Sequence, residues 1–90
     1  MRRLALAALL LAGCSHGPKG PGAEVYAAHC AVCHSHQKAP SLKTIASRMT
    51  EDQQIQVVTN GRPQAGMPSW GPLLTPTQIR DVVEYTRTGH

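Results

Sequence analysis

Ninety residues, with 9 Lys plus Arg against 5 Asp plus Glu, allow one small domain of formal charge +4. The chain has no Phe, one Trp and two Tyr. It shows neither an aromatic platform for bases nor a basic stripe for a phosphate backbone, so no nucleic-acid partner is expected.

The chain opens on a short basic start, Met1-Arg2-Arg3, followed by an unbroken run of Leu and Ala from Leu4 to Ala12. This is the pattern of a secretory signal. The run is far short of the roughly 20 apolar residues that span a bilayer as a helix. Leu11-Ala12-Gly13-Cys14 resembles a bacterial lipobox, in which the signal is cut before the Cys and the Cys is acylated. Residues 1–13 are therefore expected to be a lipoprotein signal peptide, with Cys14 as the lipidation site. Two or more acyl chains would hold the protein stably on a membrane, where one binds only marginally. The alternative is an ordinary secretory cut nearby that leaves a free Cys14. Loss of residues 1–13 removes Arg2 and Arg3, so Lys plus Arg falls from 9 to 7 against 5 acids, a charge of +2.

Ser15 to Gly22 reads Ser-His-Gly-Pro-Lys-Gly-Pro-Gly, too rich in Gly and Pro to continue a helix or strand. Residues 14–21 are thus the lipidated Cys and a flexible tether, and residues 22–90 the folded domain. A chain below ~70–80 residues rarely stabilises itself by core burial alone, so something bulky and apolar is missing from the sequence.

Cys30-Ala31-Val32-Cys33-His34 is the C-x-x-C-H pattern of c-type haem attachment. Positions i, i+3 and i+4 share a helix face. Both thiols can therefore add to the two vinyl groups of one porphyrin edge while the imidazole reaches under the ring to iron. A structural zinc site would want a second Cys or His pair, and no Cys follows Cys33. A thioredoxin-like C-x-x-C would open a helix in a βαβ pattern, whereas this one closes a helix in a chain without strand signals. A plain Cys30–Cys33 disulfide leaves His34 unexplained. One covalently bound haem c is expected, and it would supply the missing apolar bulk.

Thr50-Glu51-Asp52-Gln53 fits a capping box, opening a helix with Ile55 and Val58 on one face that stops at Asn60-Gly61. Asn60-Gly61-Arg62-Pro63-Gln64-Ala65-Gly66-Met67-Pro68 is rich in turn formers. An extended loop there can lay a thioether against a metal, and Pro68 stiffens the approach. The sixth iron ligand is expected to be Met67, with Met49 a core residue. His29 and His36 lie on the His34 side, His16 in the tether and His90 at the end; all four read as solvated side chains. Trp70 follows Met67 by three residues, and Arg62 precedes it by five. Two readings stay open: Trp70 packs near the haem and its N–H, or Arg62, binds a propionate; or both are surface side chains. Thr75-Pro76-Thr77-Gln78 repeats the capping device with Pro at the first helical position. Ile79, Val82 and Val83 with Tyr85 or Thr86 form the apolar stripe of a last helix ending at Gly89.

Gly22, Tyr26 and Cys30 at steps of four, the haem motif, Ala39-Pro40-Ser41-Leu42, Gly66-Met67-Pro68, and Val82 with Tyr85 carry a resemblance. From Gly22 onward the chain resembles the small class I monohaem cytochromes c. The resemblance implies an all-α fold of three to four short helices wrapped around the haem, with the first and last in contact. It also implies that the Pro40 carbonyl accepts a hydrogen bond from His34, which would orient the ligand. Ala39 departs from the family's usual Gly. With His34 and Met67 both bound, iron has no open position, so electron transfer rather than catalysis is expected. The protein would be a monomer on the outer, periplasmic side of the cytoplasmic membrane. It would exchange electrons transiently with redox partner proteins, such as respiratory complexes or a terminal oxidase or reductase. A haem-bearing subunit of a larger oxidoreductase and a haem-based gas or redox sensor are the other readings. A peroxidase is disfavoured because no distal acid–base pair is evident.

Overall fold

The structure, a computed structural model, describes residues 20–89. The first helix, α1 (residues 21–34), has Pro21 at its first position, where the missing N–H costs nothing. It is α-helical over Pro21–Val25, π-helical over Tyr26–Cys30 and α-helical again over Ala31–His34. Helices α2 (Ile45–Arg48) and α3 (Glu51–Asn60) follow, then a 3₁₀ turn at Pro63–Ala65. Helix α4 (residues 76–89) is α-helical over Pro76–Glu84 and π-helical over Tyr85–Gly89. The described residues form no strand beyond an isolated antiparallel bridge between Arg62 and Met67. The fold is all-α.

Local chemistry sets the helix starts. Thr50 Oγ1 accepts from the Gln53 amide at 3.1 Å, and Gln53 Oε1 accepts from the Thr50 amide at 2.8 Å. Thr75 and Gln78 repeat the arrangement at 3.1 and 2.9 Å. Each box satisfies two of the four orphan N–H groups of a helix N-terminus.

The first and last helices cross closely. Gly22 is buried there because a Cβ would collide with the Asp81 carbonyl and lie 2.8 Å from Tyr85 Cβ. One turn on, the Tyr26 and Tyr85 rings meet at 5.4 Å between centroids. The core beside this crossing is Val25, Leu74, Ile79, Val82 and Val83, with Tyr26, Cys30, Ile55, Val58 and Trp70 packed against it. No aromatic ring is fully buried, which is a thin core for a domain of this size. The remaining apolar surface of α3 and α4 lines a cavity instead. No helix among the described residues is long and apolar enough to cross a membrane.

Candidate haem site

A cavity of about 360 Å³ is lined by all four helices and the loops between them. Cys30, Val32, Cys33 and His34 of α1 line it, with Leu42, Met49, Val57, Val58, Met67, Trp70, Val82 and Val83 from the rest of the chain. Its volume lies in the range of cofactor pockets, about 300–1,000 Å³.

His34 is oriented through its Nδ1–H, which donates to the Pro40 carbonyl at 2.9 Å. The carbonyl can only accept, so this bond fixes the tautomer and leaves Nε2 with its lone pair for a metal. Past α1 the chain turns back through Gln37 at φ 64. The amides of Lys38 and Ala39 donate to the Cys33 carbonyl at 3.0 and 3.2 Å. Cys33 is exposed, whereas burial pushes the Cys30 thiol up to about 11.

Met67 is presented by a short loop anchored at both ends. Gly61, at φ 72, ends α3 where a Cβ would meet the Pro68 carbonyl at 2.6 Å. The Arg62 amide donates to the Met67 carbonyl at 2.9 Å, and the Met67 amide returns to the Arg62 carbonyl at 3.0 Å. The returning chain then satisfies the last carbonyls of α3. Gly61 N–H reaches Val57 O at 2.8 Å, Trp70 N–H reaches Val58 O at 3.1 Å and Gly71 N–H reaches Thr59 O at 3.0 Å. Ser69 Oγ completes the set on Asn60 O at 2.7 Å. All four orphan carbonyls of the helix end are used, so Met67 and Trp70 ride on the end of α3 rather than on a loose loop.

The structure thus brings Cys30, Cys33, His34, Met67 and Trp70 to one cavity, with Pro40 behind His34. Arg62 lines a separate, adjoining cleft. Met49, read from the sequence as a core residue, is half-buried and lines the cavity. His29 is exposed, as a solvated side chain should be, yet its ring meets that of Trp70 at a tilt of 54°, 5.1 Å between centroids. Cys14, the tether up to residue 19 and His90 lie outside the described residues.

Sequence reasoning missed a polar network in the cavity wall. Gln54 and Thr86 are both 4% exposed, and Gln54 Nε2 donates to Thr86 Oγ1 at 2.7 Å. Thr86 Oγ1 donates onward to the Val83 carbonyl at 2.8 Å. Arg87 Nη1 donates to Gln54 Oε1 at 3.1 Å and to the Met49 carbonyl at 2.8 Å. The only sequence signal was position: Gln54 stands three and four residues before Val57 and Val58, on their face of α3.

The residues fit a covalently held haem. Two thiols and an imidazole with a free Nε2 line an apolar cavity, and a thioether lines it as well. No group of three or more His, Cys, Asp or Glu that could hold a bare metal ion occurs among the described residues. A ring that brings its own equatorial nitrogens needs no such group.

The profile described as cytochrome c oxidase, cbb3-type, subunit III matches residues 18–85. A relative named Cbb3-type cytochrome c oxidase subunit FixP, from Azorhizobium caulinodans, is 36% identical over 76 residues, covering 74% of this chain and 26% of the relative. The chain therefore spans about a quarter of the length of that curated relative. No solved structure matched. With a haem motif, an oriented imidazole and a thioether on one cavity, the chain is a c-type cytochrome and belongs to the cytochrome c oxidase, cbb3-type, subunit III family.

Proposed function

We propose that this protein carries single electrons through one haem c, attached at Cys30 and Cys33 and ligated by His34 and Met67. Bound there, the haem supplies a metal that gains or loses one electron without a change of ligands, and His/Met ligation favours the ferrous state. What carries the reading is the convergence of Cys30, Cys33, His34 and Met67 on one cavity.

The chain's own residues do the rest. Pro40 holds the His34 imidazole in one tautomer and one orientation. The α3 end and the Arg62–Met67 bridge hold the thioether with little room to reorganise. Val57, Val58, Val82 and Val83 keep water from the cavity. Val32, 59% exposed, and the exposed Cys33 leave the attachment edge open to a partner. A transient interface there is the expected electron port. Signal peptide 1–13, acylated Cys14 and tether 14–21 would place this small class I domain, as a monomer, on the outer face of the cytoplasmic membrane. Its acceptor would be a terminal oxidase or another respiratory complex.

A second reading is favoured by the relative, which is named as an oxidase subunit and is about four times longer than the match. In that case the chain is a haem-bearing subunit of a larger assembly, and it would co-purify with one. The test of electron transfer against gas sensing is a spectroelectrochemical titration with carbon monoxide added to the ferrous protein. One reversible one-electron wave and no carbon monoxide adduct are expected. A readily formed adduct would show an exchangeable sixth ligand and favour a sensor.

A further inference from the structure

We propose that Arg87 sets the electron affinity of the haem from behind the cavity wall, its fixed positive charge holding the iron towards the ferrous state. This rests on the electron-carrier reading above and deepens it.

The Lys and Arg side chains among the described residues are Lys38, Lys43, Arg48, Arg62, Arg80 and Arg87. The first five are exposed, Arg48 and Arg62 along the adjoining cleft, and Arg87 alone is half-buried. A cation drawn off the surface ordinarily takes a carboxylate with it, because a charge out of water is costly unless it is paired. Neither Asp81 nor Glu84 of its own helix, nor any other carboxylate among the described residues, is ion-paired with Arg87. Its Nη1 donates instead to two neutral acceptors, the Met49 carbonyl at 2.8 Å and Gln54 Oε1 at 3.1 Å. The charge is therefore held in place and left uncancelled.

The place is the back of the haem cavity. Met49, Gln54 and Thr86 all line that cavity, whereas Arg87 lines neither it nor the cleft. The guanidinium thus stands one side-chain layer behind the cavity surface without forming part of it. In that layer Gln54 and Thr86 are each 4% exposed, so little water enters to screen the charge. The layer is also polarised by the guanidinium. Gln54 Nε2 donates to Thr86 Oγ1 at 2.7 Å, and Thr86 Oγ1 donates on to the Val83 carbonyl at 2.8 Å. Ferric iron carries one more positive charge than ferrous, so a fixed cation behind this wall opposes oxidation.

The test is a spectroelectrochemical titration of the haem-loaded protein, read as the ferrous-to-ferric ratio at one fixed applied potential. Coulomb's law across one layer of side chains, at the effective dielectric of a protein interior, predicts that Arg87→Gln lowers the ratio about three- to tenfold. Tenfold is about 59 mV for one electron. Arg87→Lys keeps the charge and should stay within about twofold of wild type. Arg80→Gln removes an exposed, solvent-screened cation of the same helix and should also stay within about twofold. Gln54→Glu serves where Arg87→Gln does not fold: it sets a carboxylate against the guanidinium, keeps that bond and cancels the charge, and the ratio should fall about threefold or more. Thr86→Val breaks bonds in the wall without changing a charge and should leave the ratio within about twofold. An unchanged ratio in both Arg87→Gln and Gln54→Glu would overturn the proposal. So would a fall in Arg87→Lys or Thr86→Val as large as that in Arg87→Gln, which would assign the effect to a loosened wall. A wild-type protein with no covalent haem after denaturation, or with no reversible one-electron wave, would sink the carrier reading itself. A normal wild-type wave that the charge-removing variants do not move would sink only the role of Arg87.

Discussion

Arg87→Ala should destabilise the haem-loaded protein far more than a half-exposed arginine normally would. Its Nη1 donates to the Met49 carbonyl at 2.8 Å and to Gln54 Oε1 at 3.1 Å. Gln54 is 4% exposed, so after the change its Oε1 loses its donor where water cannot easily replace it. A hydrogen bond from a charged donor is worth about 1.5–3 kcal/mol, and a buried unsatisfied acceptor costs about 1–3 kcal/mol. Allowing for water reaching the Met49 carbonyl, the expected loss is about 2–3 kcal/mol. In a domain of 60–100 residues each kcal/mol shifts Tm by about 4–8 °C, so a fall on the order of 10–20 °C follows. Gln54→Leu alone should cost about 1–2 kcal/mol, since it removes the donor to Thr86 Oγ1. The double variant removes both partners of the Arg87–Gln54 bond, so no buried Gln54 Oε1 is stranded, and it should cost about 1 kcal/mol or more less than the sum of the single changes. Guanidinium unfolding followed by helical circular dichroism and visible absorption together gives all four corners. Additivity within about 0.5 kcal/mol would refute the network.

Other consequences follow from the same geometry. Gly22→Ala puts a methyl group against the Asp81 carbonyl and Tyr85 Cβ; a loss of about 1–3 kcal/mol is expected, and a wild-type Tm would mean that α1 and α4 do not meet there. Thr50→Ala and Thr75→Ala each remove a cap and should cost about 1 kcal/mol in the same unfolding assay, with Ser restoring most of it. In the haem-free precursor the Cys30 thiol, raised to about 11 by burial, stays protonated at neutral pH. Exposed Cys33 should therefore alkylate first at pH 8, with the Cys30 rate still climbing towards pH 11. Because the folded value lies above the ordinary value of 9.0, this group's share of stability is whole below about pH 9 and fades as pH rises through 11. Equal alkylation rates would contradict that burial.

Much of the fold was written in short-range signals. Both capping boxes, the turn residues of the Met67 loop and the Ile79-Val82-Val83 stripe act within one or two turns, so their meaning survives without tertiary context. The haem motif is local for the same reason: Cys30, Cys33 and His34 sit within five residues. The π segments at Tyr26–Cys30 and Tyr85–Gly89 were not legible, because one extra residue per turn is set by helix packing rather than by composition. Gln54, in the run Gln53-Gln54-Ile55-Gln56, looks like a surface residue until Thr86 and Arg87 arrive from the far end of the chain. Arg48 and Arg62 share a cleft only because α3 runs between them, and His29 finds Trp70 across 41 positions. Long-range pairings of this kind leave no periodic trace.

The most direct test of the central claim is the optical spectrum of the haem-loaded protein, ferric and ferrous, beside Met67→Ala. His34/Met67 ligation predicts a weak far-red band from the sulfur–iron bond in the ferric protein, absent from the variant. A wild-type spectrum without that band, or one unchanged by the substitution, would mean that Met67 is not the sixth ligand and that the electron-carrier account is built on the wrong site.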